Sequence, residues 1–428
     1  MNSRLVKELP ELLENKVISE EVALKIENYF SSKTQDSPNK LFMVFGVLGS
    51  LLVGLGVILI LAHNWDNFSK TIKTVFAFTP LIIGQLLVGY SILKKKSQVW
   101  KESSGVFLFF AVGASIALVS QIYNIPGNLS GYLLTWIVLC LPLMYLLKSN
   151  ILAMLHLVFT TYYACNYGYF TGSKQPWLYF LLLGFVMPFY FNLLNERPKA
   201  NITSIFNWLI PFSCVITLGA FIGNDNQLGF LMYVLFFGMV YNIGKLPFFE
   251  NQKLRRNGYL VIGSLGTIIS LLFATFEWFW DISFRVAVID MHEFYISLVL
   301  FLITIALLIY MFSKKWIKVF NLFQYVFIIF SIIFLIGLSN SVIPTVLTNI
   351  LILSLGLIAV KIGADRFHFG VLNYGLLIIT GLIICRFFDT NISFVIRGLL
   401  FVTVGVGFFV TNYMMLKRQN SKDNNVLN

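Results

Sequence analysis

The chain has 428 residues, 58% of them hydrophobic and only 12% charged, with a mean hydropathy of +0.81. Soluble domains carry roughly 25% charged residues, so this composition excludes a large water-soluble core and predicts an all-α, polytopic integral membrane protein. The net charge of +12 falls along the chain in the pattern of a membrane anchor facing anionic lipids, not of a nucleic-acid surface.

Residues 1–38 are polar and mixed in charge, which argues against a signal peptide and predicts a cytosolic helical hairpin, with helices near 3–15 and 20–32. Ser19 can cap the second helix, and Val22, Ile26, Tyr29 and Phe30 recur at helical spacing on one face. That face suits either a cytoplasmic protein partner, docked through residues 1–34, or a helix pair packed on itself or on the membrane surface.

The stretch 41–66 follows, with no charge from Leu41 to Ala62 and then His63, Asn64, Trp65 and Asp66. A run of that length reads as a membrane span. Gly46, Ser50 and Gly54 lie four apart, on a face where another helix can approach closely. Further apolar segments lie near 74–93, 104–122, 131–147, 150–169, 176–194, 203–222, 227–245, 257–277, 293–312, 317–338, 343–361, 366–386 and 392–416. The expected total is therefore about 14 transmembrane helices. Pro80, Pro142, Pro188 and Pro211 interrupt the second, fourth, sixth and seventh. They divide the membrane part into a proline-broken half, 39–222, and a second half, 223–416, before a cytosolic tail, 417–428. The proline-broken helices are read as deformable elements or as static kinks.

With strict alternation and a cytoplasmic N-terminus, twenty-five Lys and Arg fall inside and five outside, Arg397 alone lying within a span. This bias predicts that both termini are cytoplasmic. The eight tryptophans fall near span ends and are expected to form interfacial belts.

Chemistry is sparse inside the spans. No Asp or Glu falls mid-span, which argues against a proton relay. Gln85 and Gln324 are expected to bond between helices, and His156 and His368 to be satisfied packing residues. Cys140, Cys165, Cys214 and Cys385 have no metal spacing and read as small buried residues. A metal set of His63, Asp66, Asp290, His292 and Glu293 matches no compact motif. No Walker loop or hydrolase elbow appears, so no cofactor is expected.

The distinctive polar residues gather at the predicted outer ends: Asn64, Trp65 and Asp66; Gln121, Tyr123 and Asn124; Glu277 and Asp281; Arg386 and Asp389. Arg397 enters the last span about one and a half turns below that surface. A guanidinium there needs a carboxylate or a ligand anion. Asp66, Gln121, Asp389 and Arg397 are expected to converge on one outward-facing polar pocket, with a structural Arg–Asp clamp as the other reading.

Several stretches carry a family resemblance: Leu12 to Glu21, Gly54 to Leu59 leading into Asn64-Trp65-Asp66, and Gln121-Ile122-Tyr123. They resemble an uncharacterised bacterial membrane family catalogued as a domain of unknown function, number twenty-one fifty-seven. Arg386 to Asp389 and Arg397 to Phe401 are similar to membrane regions often fused to it. The resemblance implies a bacterial cytoplasmic membrane and supplies no activity or site residue. Three classes remain open. They are a carrier or flippase for an amphipathic or anionic solute, a scaffold or sensor using the N-terminal helices, and a membrane enzyme acting on a lipid-linked substrate. The partners expected are membrane lipids, with no nucleic acid.

Overall fold

A computed structural model describes residues 4–15, 17–26, 65–170, 175–222, 226–250, 252–280, 292–317 and 321–389, with scattered positions from 395 to 413. The first predicted span, 41–62, and most of the last, 392–416, lie outside the described residues.

The chain divides into two compact units, 1–77 and 78–428. The first contains α1 (Arg4–Glu14) and a second helical segment at 20–26. Leu9 and Ala23 are buried, and Val17, Val22 and Leu24 are exposed. Lys25 bonds Glu21 at 2.6 Å on the exposed face, an i,i+4 pair that adds a few tenths of a kcal/mol. Trp65–Asn67 forms one 3-10 turn, and the Lys73 ammonium lies 5.5 Å from the centre of the Trp65 ring. Helix α2 (Lys70–Leu93) carries the chain onward.

In the second unit the apolar runs form α3 (Gln98–Tyr123), α4 (Leu129–Leu146), α5 (Asn150–Cys165), α6 (Leu178–Glu196), α7 (Asn201–Leu218) and α8 (Asn226–Ile243). They continue as α9 (Gly258–Phe273), α10 (His292–Ser313), α11 (Val326–Gly337), α12 (Val342–Asp365) and α13 (Phe369–Asp389). Among the described residues eight helices are long and apolar enough to cross a membrane, and α8, α9 and α11 are shorter apolar helices. The protein is therefore an all-α, multi-pass membrane protein. The predicted fourth and fifth segments are two separate helices joined at Leu147, Lys148 and Ser149. Lys148 takes a left-handed φ of 49° there, and the Ser149 hydroxyl caps α5 by accepting from the Leu152 N–H at 3.1 Å.

Hydrogen bonds fix which helix ends lie together. At one end Gln98 of α3 donates to the Lys148 carbonyl at 3.1 Å. Asn257, before α9, donates to the Gly244 carbonyl after α8 at 2.8 Å, and Asn242 donates to the Gln324 carbonyl before α11 at 3.1 Å. At the opposite end Ser130 of α4 donates to Asn166 after α5 at 2.8 Å, and Gln227 of α8 donates to the Phe279 carbonyl after α9 at 3.0 Å. The helices joined by these bonds thus alternate in direction. The first end carries Lys148, Lys245 and Arg256.

Close packing depends on missing side chains. A Cβ on Gly263 of α9 would sit 2.5 Å from the Tyr241 nitrogen and 2.7 Å from its Cα on α8, and one on Gly375 of α13 would sit 2.5 Å from the Val360 nitrogen on α12. The largest core runs from Val88 to Tyr259, so it crosses the predicted 222/223 boundary. Gln324 is buried in a 3-10 turn rather than mid-span, and its amide donates to Asn242 at 3.3 Å, as a helix–helix bond. His156 is buried and donates to the Leu182 carbonyl at 3.0 Å. Two tryptophans depart from the belt. Trp136 is buried over Gly113 and donates to the Phe109 carbonyl at 2.7 Å, and Trp280 is buried and donates to the Ala274 carbonyl at 2.8 Å. Trp136 lies two turns inside α4 and Trp280 follows the 3-10 turn after α9, and each finds its indole partner inside the bundle.

Because backbone faces Gly263, Gly263→Ala should destabilise the detergent-solubilised protein by about 1–3 kcal/mol. Gly184→Ala, with nothing within 4 Å of its new Cβ, should be neutral or stabilising by up to about 1 kcal/mol. Thermal unfolding of both variants checks this, and equal melting temperatures would overturn the account of the α8–α9 contact.

Candidate functional site

The site is built where α8 starts, α9 ends, α12 starts and α13 ends. Helix α9 stops at Phe273, and a turn at Ala274 and Thr275 leads into the 3-10 segment Glu277–Phe279. The buried Thr275 hydroxyl donates to the Leu272 carbonyl at 2.6 Å, which leaves its oxygen free to accept. Arg386, in the last turn of α13, donates from Nη2 to that hydroxyl at 3.2 Å. Its guanidinium carbon lies 5.1 Å from the centre of the Phe276 ring, a cation–π contact. Asn349 of α12 donates to the Thr275 carbonyl at 3.2 Å and to the Thr345 carbonyl, one turn back, at 2.7 Å. Trp280 closes the cluster against Gly337 of α11. The result is a fixed cation rimmed by a hydroxyl, an amide and aromatic rings, a set of groups suited to an anionic, partly apolar ligand.

The other predicted site residues are distributed as follows. Gln121 and Tyr123 are exposed at the end of α3. Asn124 terminates that helix with a left-handed φ of 51° and donates its N–H to the Gln121 carbonyl at 3.4 Å. This is a helix C-cap of the kind asparagine favours. Trp65 and Asp66 belong to the first unit, where Asp66 is exposed. Asp389 ends α13, with its side chain outside the described residues. Asn64, Asp281 and Arg397 lie outside them altogether, as do His63 and Asp290 of the metal reading. Of the predicted set, the structure connects Arg386 to partners on other helices.

Sequence reasoning missed a buried hydroxyl cluster shared by α5, α6 and α7. The Ser213 Oγ lies 2.6 Å from Thr161 Oγ1 and 2.8 Å from Tyr179 Oη. Thr217 returns its hydroxyl to the Ser213 carbonyl at 2.9 Å. Thr160, on the neighbouring position of α5, is fully buried, and among the described residues its hydroxyl has no hydrogen-bond partner. Serine and threonine leave no mark in a charge-free run, because each also bonds its own helix backbone. The same reasoning missed Glu102. Its carboxylate accepts from Ser149 and from the Asn150 and Ile151 N–H groups at 2.9 and 3.2 Å, which fixes the start of α5.

These features define a multi-helix membrane protein whose polar contacts cluster at helix ends. Residues 10–153 match a family described as a predicted membrane protein, DUF2157. No curated protein and no solved structure matches the chain. The match covers α2, α3 and α4, and ends in the first turn of α5. The Arg386 cluster lies beyond it.

Arg386→Ala should lower stability by about 1.5–3 kcal/mol, the worth of a hydrogen bond to a charged group. Arg386→Lys, which keeps charge but loses the planar fork, should lose less. Thr275→Val in the Arg386→Ala background should cost less than in the parent chain. Additive losses in denaturation experiments would show that the two residues do not act together.

Proposed function

We propose that the protein is a carrier or flippase-like protein of the bacterial cytoplasmic membrane that handles an amphipathic or anionic solute through a polar pocket at the lysine-poor end. The observation that carries this reading is the Arg386 guanidinium, held by Thr275 and Phe276 at the meeting of helices distant in sequence. Fourteen spans complete the architecture. Twelve are α2 to α13, and the other two are the apolar runs 41–62 and 392–416. Gln121, Asp389 and Arg397 are the further candidates for that pocket, with Arg397 as a second anion-binding group. The lysine and arginine bias supports cytoplasmic placement of both termini.

A second reading is favoured by the exposed Val17, Val22 and Leu24 of the N-terminal helices. In it these residues bind a cytoplasmic protein and the membrane part is a scaffold or sensor.

Topology is tested by fusing alkaline phosphatase, and separately a fluorescent protein, to the C-terminus. Fluorescence without phosphatase activity is expected, and the reverse would overturn the orientation. Transport is tested in liposomes carrying a fluorescent short-chain phosphatidylglycerol, with dithionite quenching as the readout. The protein should move the probe faster than empty liposomes do, and Arg386→Ala should slow it about tenfold, the equivalent of ~1.4 kcal/mol. Movement at the empty-liposome rate would remove the flippase reading, and intact movement in Arg386→Ala would remove the role of this pocket.

A further inference from the structure

A second cationic cluster stands at the opposite end of the bundle, after α8 and α12. Lys245 follows the last turn of α8, and its ammonium lies 5.6 Å from the centre of the Tyr241 ring. That ring is itself fixed. Its hydroxyl accepts from Asn321 at 2.7 Å, and its face stacks on Phe323 at 5.5 Å. Burial holds the Lys245 ammonium below the usual lysine range, and the nearby Arg366 guanidinium at the C-cap of α12 lowers it further. Asp365, beside Arg366 in sequence, is exposed. Among the described residues neither cation forms an ion pair with a carboxylate. Two like charges brought together at the edge of an apolar bundle are stabilised by an anion between them.

A groove opens at Leu322, the residue after the Asn321 that bonds the Tyr241 ring under Lys245. It has a volume of about 370 Å³ and runs between α11 and α12. Leu322, the neighbour of Asn321, lines one end and Ile336 the other, with Ile350 and Ser354 on the facing wall. On the α12 wall the lining runs from Leu347 to Ser354, about 10 Å of helical rise, enough to hold a segment of an acyl chain.

We infer that Lys245 and Arg366 bind the phosphate of an anionic phospholipid whose acyl chain lies in the α11–α12 groove. Basic pockets between spans are a recurrent way to hold such headgroups. The site lies at the opposite helix ends from Arg386, and it does not depend on transport.

The test uses the full chain in detergent, with phosphatidylglycerol, phosphatidylcholine or inorganic phosphate added, and reads both lipid retention by native mass spectrometry and the additive-induced shift in melting temperature. Phosphatidylglycerol should be retained and should raise the melting temperature, while phosphatidylcholine and phosphate should not. Lys245→Gln and Arg366→Gln should each weaken phosphatidylglycerol binding about tenfold. Lys245→Arg and Lys361→Gln, the latter on the exposed face of α12, should retain it. Ile350→Trp, which fills the groove from an exposed position, should weaken it as well. Because each variant is compared with and without lipid, a general loss of stability does not imitate the result. Equal binding of phosphatidylcholine, an equal loss in Lys361→Gln, or a full effect from phosphate alone would each overturn the inference.

Discussion

Helices in hydrocarbon gain little hydrophobic free energy by meeting, so the bundle depends on how closely their backbones approach. The contact of α8 with α9 at Gly263 is one expression of that constraint. There the Tyr241 backbone occupies the space where a side chain would be. Once the two backbones touch, the ends of both helices come within hydrogen-bonding reach. Asn257 then caps α9, accepting from the Leu260 N–H at 3.0 Å, while its amide holds the Gly244 carbonyl at the end of α8. Asn242 and Gln324 bond reciprocally one turn away. A bulkier residue at 263 would separate the helices and strand these buried amides.

The polar bonding serves two different purposes. Neutral amides and hydroxyls join helices to one another and satisfy helix ends, as at Asn128, Ser149, Asn257 and Asn321. Cations occupy the rims. At the lysine-poor end Arg386 is held by a hydroxyl and a ring from the turn after α9. At the other end Lys245 rests on a ring from its own helix beside Arg366. The first arrangement joins elements 111 residues apart. The second leaves two positive charges beside each other.

The helices were largely legible in the sequence because membrane spans are written in runs of uncharged residues. The predicted segments from 74–93 to 366–386 each coincide with helix in the structure, to within a few residues at most ends. What composition could not show was partnership. Trp136 and Trp280 lie at interfacial positions in the sequence, yet each is buried because a glycine on a neighbouring helix leaves room for its ring. Asn124 reads as a site residue, but its left-handed backbone makes it a helix stop. Arg386 was legible as unusual, and its partners Thr275 and Phe276 were not, since nothing in an apolar segment marks which hydroxyl faces a helix a hundred residues later. The hydroxyls of Thr161, Tyr179 and Ser213 were invisible for the same reason.

The prolines separate more finely than the sequence allowed. A proline within a helix leaves the carbonyl four residues earlier without its backbone donor and bends the chain there. For Pro211 that carbonyl belongs to Asn207, and it is packed against Gly258 at the start of α9. Asn207 is further tied by its side chain, which accepts from Tyr190 at 2.6 Å and donates to the Arg256 carbonyl at 2.8 Å. Protein covers the gap, and the bend in α7 is held on both sides. Pro188 of α6 differs. The residue four positions before it is Gly184, which has nothing within 4 Å of where a side chain would start. A kink changes angle only if neighbouring groups give it room. At Gly184 α6 has that room on one side, while its other face is buried at Leu182, Val186 and Tyr190 and bonded through the Leu182 carbonyl to His156. The two prolines therefore differ on one face alone: protein covers the freed carbonyl of α7, and among the described residues none meets the Gly184 position of α6.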